Sequence, residues 1–404
     1  MGAAIVVFAV AVFTFIWCFA NTGSSNAEFK EVGDLFAWLS PSDPQTHFAA
    51  ATLHETALES GDFESALREY EIAASLAPDN YLLWLRLASI RGRAGDTLGT
   101  EAALRRAAEL APNYSRVQWA FGNFLLREGR DDEAYPLLQK AVAGDASLAP
   151  LAAATALQTS DGDVEMVIRK FQNATPVDIA LALLLANQKA FNKAIEIWNR
   201  IEPVDDDAYR SATKQIRKAL IEAKLFKAAV SMKGPPEVVG GFAFERLTNP
   251  GFESPIRAQE ADAFDWTVTQ GAYPQTGVTD SQKVSGSFGL IILLSGQDQK
   301  DFRGISQIVA VQPGASYEFG VNYRTDVKSA ATFQWEVSSA KDQHRIAVSQ
   351  PLTPTQNWIK WTATFSVPAD TDGVIVRFVR NDCAATACNA TGTFWFDDLS
   401  LTRK

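Results

Sequence analysis

The chain has 404 residues, 47% hydrophobic and 21% charged, which suits two or three folded domains and excludes a disordered polymer. Its net charge is -10, from 37 Lys and Arg against 47 Asp and Glu, with no basic stripe. It therefore lacks the cationic surface that a phosphate backbone demands, and nucleic acid is not an expected partner.

Residues 2–20, GAAIVVFAVAVFTFIWCFA, carry no charge. As a helix they would be about 28 Å long, close to the thickness of a bilayer's hydrocarbon core. A cleaved signal peptide would need a basic leader, and no Lys or Arg precedes Lys30. The reading is a transmembrane anchor over residues 1–22, with Trp17 near one interface. Neither flank has a Lys or Arg cluster to orient it. Residues 23–43 then serve as a linker and leading helix.

From 44 to 232 the chain is rich in Ala and Leu with a helical pattern, and it repeats. Pro44, Pro78 and Pro112 are 34 residues apart, as are Gly61, Gly95 and Gly129. The same register aligns Ala66, Thr100 and Ala134, then Ala73, Ala107 and Ala141. Small residues let two helices approach, glycine takes the turn and proline ends the unit. Beyond 146 the register degrades, with hairpins expected near 149–172, 176–202 and 207–232. This pattern resembles the tetratricopeptide repeat, whose hairpins stack because none can bury its apolar stripe alone. The resemblance implies a concave groove, lined by the first helix of each unit, that docks a protein segment. Glu55, Arg86, Asn123 and Arg127 are the candidates to face it. The alternative is that they are ordinary solvated positions.

The stretch KGPPEVVGG at 233–241 cannot continue a helix and marks a linker. From 242 to 404 short runs of alternating apolar residues, such as SYEFGVNYRT, TFQWEVSS and GVIVRFVRN, are separated by Gly and Pro turns. They predict an all-β sandwich. The order Leu247-Thr248-Asn249-Pro250-Gly251-Phe252-Glu253, then Phe264-Asp265-Trp266, then Pro313-Gly314, and finally Phe396-Asp397-Asp398-Leu399, resembles jelly-roll carbohydrate-binding modules of the galactose-binding-like superfamily. The expected whole is multidomain: transmembrane helix, all-α repeat solenoid and C-terminal jelly roll.

That resemblance implies two sites. One is a structural calcium ion where Glu253 meets Asp397 or Asp398; the alternative there is a hydrogen-bonded turn. The other is a glycan surface. Strand alternation sets Gln334 and Glu336 opposite Phe333 and Trp335, and Asn322 and Arg324 opposite Tyr323. With the aromatics inward, those four polar residues could floor a concave face, and Trp266, Tyr273 and Phe302 could stack on sugar rings. The alternative is that the large aromatics are core. Cys383 and Cys388 suit a local disulfide, and hence an extracytoplasmic compartment, periplasmic or cell surface. The alternative is two unpaired thiols in a cytoplasmic loop.

No nucleophile elbow, phosphate loop, zinc-protease pattern or Cys–His pair is present, and His47 and His54 lack further ligands in sequence. No enzyme is expected. The expectation is a membrane-anchored adaptor that docks a protein through its repeats and a polysaccharide through its sandwich. The alternative is a purely structural scaffold in an envelope assembly.

Overall fold

A computed structural model describes residues 2–57, 61–172, 174–234, 242–256, 261–296, 302–381 and 389–404. Packing divides the chain into two units, Met1–Val177 and Asp178–Lys404.

The first unit opens with α1 (Gly2–Ser24) and α2 (Lys30–Leu39). Within α1, the span Ala4–Ser24 is long and apolar enough to cross a membrane, judged by length and composition. Its last turns pack on α2. The Phe19 and Phe36 rings lie 5.7 Å apart, and a Cβ on Gly23 would collide with the Phe36 ring.

Next come α3 (Pro44–Thr56), α4 (Asp62–Leu76), α5 (Tyr81–Arg93), α6 (Thr97–Leu110), α7 (Ser115–Arg127) and α8 (Asp131–Gly144). They pack as three consecutive hairpins, α3 on α4, α5 on α6 and α7 on α8. The periodic residues account for this. Gly61, Gly95 and Gly129 take positive φ of 91°, 78° and 73°, a turn conformation that costs a Cβ-bearing residue about 1–2 kcal/mol. Ala66, Thr100 and Ala134, with Ala73, Ala107 and Ala141, are all buried where the helices touch. Close approach is also enforced at Gly122, where a Cβ would lie 2.7 Å from Leu138 Cδ2. Asp43, Asn80 and Asp96 cap α3, α5 and α6 by accepting from the N–H of Gln45, Leu82 and Gly99. The shorter α9 (Ala149–Thr159) and α10 (Val164–Lys170) follow, and α11 (Thr175–Asn187) crosses the division between the units.

The second unit joins α12 (Phe191–Arg200), α13 (Asp207–Glu222) and α14 (Phe226–Ser231) to a β-sandwich. Trp198 and Tyr209 stack at 4.7 Å, and both donate to the carbonyl of Lys233. The backbone N–H groups of Phe226 and Lys227, at the start of α14, donate to the Asp372 carboxylate at 3.2 and 2.9 Å. Gly373 leaves room for the Phe226 ring. Arg217 pairs with Asp262, donates to the Ala229 carbonyl and covers the Phe242 ring. The helices preceding the expected 233–241 linker are thus packed on the sandwich. Residues 235–241 of that linker lie outside the described residues.

The strands are β1 (Thr267–Val268), β2 (Gln275–Thr279), β3 (Gly289–Ser295), β4 (Ile305–Ala310), β5 (Ser316–Thr325), β6 (Lys328–Ser329), β7 (Thr332–Ser339), β8 (Arg345–Val348), β9 (Ile359–Ser366), β10 (Gly373–Asn381) and β11 (Ala390–Arg403). They form two antiparallel sheets, ordered β1-β4-β10-β7-β8 and β2-β3-β11-β5-β9, with β6 on β11. Alternating residues point inward. Tyr317, Phe319, Val321 and Tyr323 of β5 meet Phe333, Trp335 and Val337 of β7 in one aromatic core that also holds Phe378, Phe394 and Phe396.

Candidate functional site

Three places gather the chemistry-bearing residues. The first is a groove of about 960 Å³ in the helical unit, lined by α5, α6, α7 and α9. Arg86, Asn123 and Arg127 line it, and Arg93, Arg116 and Trp119 join them. The additional residues were readable. Arg93 follows Arg86 by seven positions and Arg116 precedes Asn123 by seven, which is two helical turns on one face. Glu55 is not in the lining. It accepts from Tyr70 Oη at 2.8 Å and Arg93 Nη1 at 2.9 Å, so it steadies one groove arginine from α3. Burial, reinforced by Glu55, pushes the Tyr70 phenol up to about 12 against a lowering bond from Thr52.

Outside the groove lining, α2–α4 hold a charged network. His54 sits between Asp62 and Asp34 at 3.0 and 2.9 Å, and Lys30 reaches Asp62 at 2.9 Å. His47 meets Glu69 at 2.6 Å and the Pro41 carbonyl at 3.1 Å. Burial lowers both imidazole pKa values, but these hydrogen bonds and the neighbouring carboxylate charges outweigh it, so both are raised.

The second place is the sandwich. Residues opposite one another across strands share a face, so Ser306, Arg377, Glu336 and Val348 form one outer row, with Val379 and Gln334 beside it. Glu336 is buried and ion-paired with Arg377. Gln334 accepts from Asn381 and donates to the Ser349 carbonyl at 2.6 Å. Sequence reasoning missed Arg377 and Asn381, although alternation in GVIVRFVRN sets both on one face.

The single polar floor expected from Gln334, Glu336, Asn322 and Arg324 does not form. Strands β5 and β7 enter opposite sheets, so the two pairs occupy opposite outer faces. On the far face Arg324 lies 5.5 Å over the Trp395 ring and donates to Gln282 Oε1 at 2.9 Å, while Asn322 stands between Asp397 and Lys360 in the strand register. Trp266 is a second correction. It is 2% exposed, packs on Phe252 and Trp335, and donates its N–H to the Asn249 carbonyl, so it offers no face to a sugar. Phe302 packs on Phe333 and Phe378. Tyr273, half-buried between β1 and β2, accepts from Arg303 N through its carbonyl. Cys383 and Cys388 lie outside the described residues.

The third place is an acidic corner. Glu253, Asp397 and Asp398 do come together around Gly251. Asp397 Oδ2 accepts from the N–H of Val284 and Ser285 at 2.6 and 3.0 Å, and Glu253 accepts from Ser287 N. Asp398 accepts from Ser285 Oγ at 2.7 Å. These carboxylates fasten the 284–287 turn by hydrogen bonds. Among the described residues no group of three or more His, Cys, Asp or Glu side chains is arranged to hold a metal ion; a calcium ion at this corner would draw part of its oxygen shell from backbone carbonyls beside Glu253, Asp397 and Asp398.

A family model, Carbohydrate binding domain, matches residues 245–384. The match falls on the C-terminal sandwich and supports a carbohydrate-binding module there. Solved structures give further likenesses. One is described as "CBM4 structure and function", 18% identical, covering 39% of this chain and 99% of that one, with a TM-score of 0.31. Another, TmCBM61 in complex with β-1,4-galactotriose, is 16% identical, covering 40% and 100%, with a TM-score of 0.29. A third, "MamA MSR-1 C2", is 16% identical, covering 41% and 96%, with a TM-score of 0.32. No curated protein matches the chain.

Proposed function

We propose that this chain is a non-enzymatic, membrane-anchored adaptor outside the cytoplasm, which docks a protein through tetratricopeptide repeats and holds a polysaccharide through its carbohydrate-binding module. The observation that carries the glycan half is the family match over a sandwich whose β4–β10–β7 outer face presents Ser306, Gln334, Glu336, Arg377 and Asn381. Amide, hydroxyl and charged groups of this kind bond sugar hydroxyls. The repeat assignment is supported by the 34-residue period, the three left-handed glycines and the buried small residues between paired helices. The anchor is supported by the apolar span Ala4–Ser24, and the domain boundaries proposed are 1–22, 23–43, 44–232, 233–241 and 242–404.

Pairing between Glu336 and Arg377, and between Gln334 and Asn381, favours a second reading, a structural scaffold with no glycan, because the face then satisfies itself. Co-sedimentation of the detergent-solubilised full chain with insoluble xylan, galactan and β-glucan separates the two. Retention on one polysaccharide supports the adaptor. Failure to bind any of a broad panel leaves the scaffold.

A further inference from the structure

We propose that the helical groove selects an acidic peptide segment bearing large apolar side chains. This rests on the protein-docking reading of the repeats and goes further by naming the partner's chemistry.

The argument is one of charge left unanswered. Elsewhere in this unit most arginines find carboxylates: Arg91 pairs with Glu71, Arg105 with Glu101, Arg106 with Asp79 and Arg130 with Glu101, while Arg68 and Arg169 enter no ion pair among the described residues but stand outside the groove. In the groove Arg93 pairs with Glu55, but Arg86, Arg116 and Arg127 are exposed and enter no ion pair among the described residues. In a chain of net charge -10, a concave surface with unpaired arginines is a local reversal of sign. Concavity concentrates that field, and guanidinium groups bond carboxylates through paired N–H donors.

The groove is not only cationic. Trp119 is half-buried, and Leu82 and Leu151, which line the same groove, are 47% and 53% exposed. Apolar surface between positive groups suits a peptide that alternates carboxylates with large apolar side chains. It suits a hydrophilic polyanion such as an acidic polysaccharide less well, because the leucines would gain nothing from it.

The test uses the full chain in detergent micelles and fluorescence anisotropy. The probes are a labelled synthetic peptide alternating glutamate and leucine, its glutamine–leucine counterpart and a labelled alginate oligosaccharide. The comparison protein carries Arg86→Gln, Arg116→Gln and Arg127→Gln together. These sites are exposed, and circular dichroism checks that the fold is kept. The glutamate peptide should bind at least about tenfold tighter than its glutamine counterpart, with that advantage lost in the variant and reduced by salt. Equal binding of both peptides to both proteins overturns the acidic specificity while leaving the docking reading intact. Binding of neither peptide overturns both. Arginine-dependent binding of alginate alone, or arginine-dependent dimerisation in sedimentation, assigns the groove to a different occupant and overturns the proposal.

Discussion

The helical unit and the sandwich use charge in opposite ways. In the groove three arginines enter no ion pair among the described residues, whereas on the β4–β10–β7 face Arg377 is matched to buried Glu336 and Asn381 to Gln334. A surface with unanswered charge favours a charged partner under the proposed reading. A surface whose polar groups are already paired must exchange those bonds for bonds to a ligand, and that suits a neutral one rich in hydroxyls.

The two regions also rest on different physics. The sandwich depends on one large aromatic core in which Trp335 touches Trp266, Phe319, Phe378 and Phe396. Trp335→Ala should cost the second unit about 3–5 kcal/mol in chemical denaturation, the largest effect of any change considered. Trp335 Nε1 is buried without a hydrogen-bond partner, so Trp335→Phe should cost far less, because it removes an unsatisfied donor. Equal losses for the two variants would show that the indole is not held as described.

The helical unit depends on close approach at small residues. Gly122→Ala should cost about 1–3 kcal/mol through overpacking against Leu138 Cδ2. No loss would mean that the helices part easily, and the comparison between a tight repeat and a jigsaw core would fail.

A smaller effect distinguishes the regions by pH. His47 and His54 have raised pKa values in the folded state, so the stabilisation they give is complete below their ordinary value of 6.5 and is lost as pH rises through the raised values. Amide exchange across α2–α4 should therefore quicken between mildly acidic and mildly alkaline pH beyond its chemical dependence, and His54→Gln should flatten the trend. An unchanged profile in the variant would remove the imidazoles from the account.

Legibility in the sequence follows the same division. The repeat is a local pattern, so glycine turns, helix contacts and most of the groove could be read from spacing. Arg93 and Arg116 repeat the face of Arg86 and Asn123, and attention to the seven-residue interval would have found them. In the sandwich, alternation told correctly which residues point outward on β5 and β7. It could not tell which sheet each strand joins, because that is set by pairing between strands far apart in sequence, such as β10 with β4 and β11 with β5. Asn322 and Arg324 were misassigned to the face of Gln334 and Glu336 for that reason. Trp266 was misplaced because a loop-flanking tryptophan reads alike whether it folds in or out. The acidic corner was legible as a meeting of Glu253, Asp397 and Asp398, but its hydrogen bonds to the 284–287 backbone were not.

The central claim is that the β4–β10–β7 face binds polysaccharide. Affinity electrophoresis of the full chain in native gels containing a soluble xylan, galactan or β-glucan tests it most directly, comparing Gln334→Ala with Asn381→Ala on that face against Lys360→Ala with Thr362→Ala on the opposite one. The account predicts that one polysaccharide retards the unmodified protein, that the first pair of substitutions abolishes the retardation, and that the second leaves it unchanged. Retardation that survives the loss of Gln334 and Asn381, or that is abolished only by the changes at Lys360 and Thr362, would contradict it.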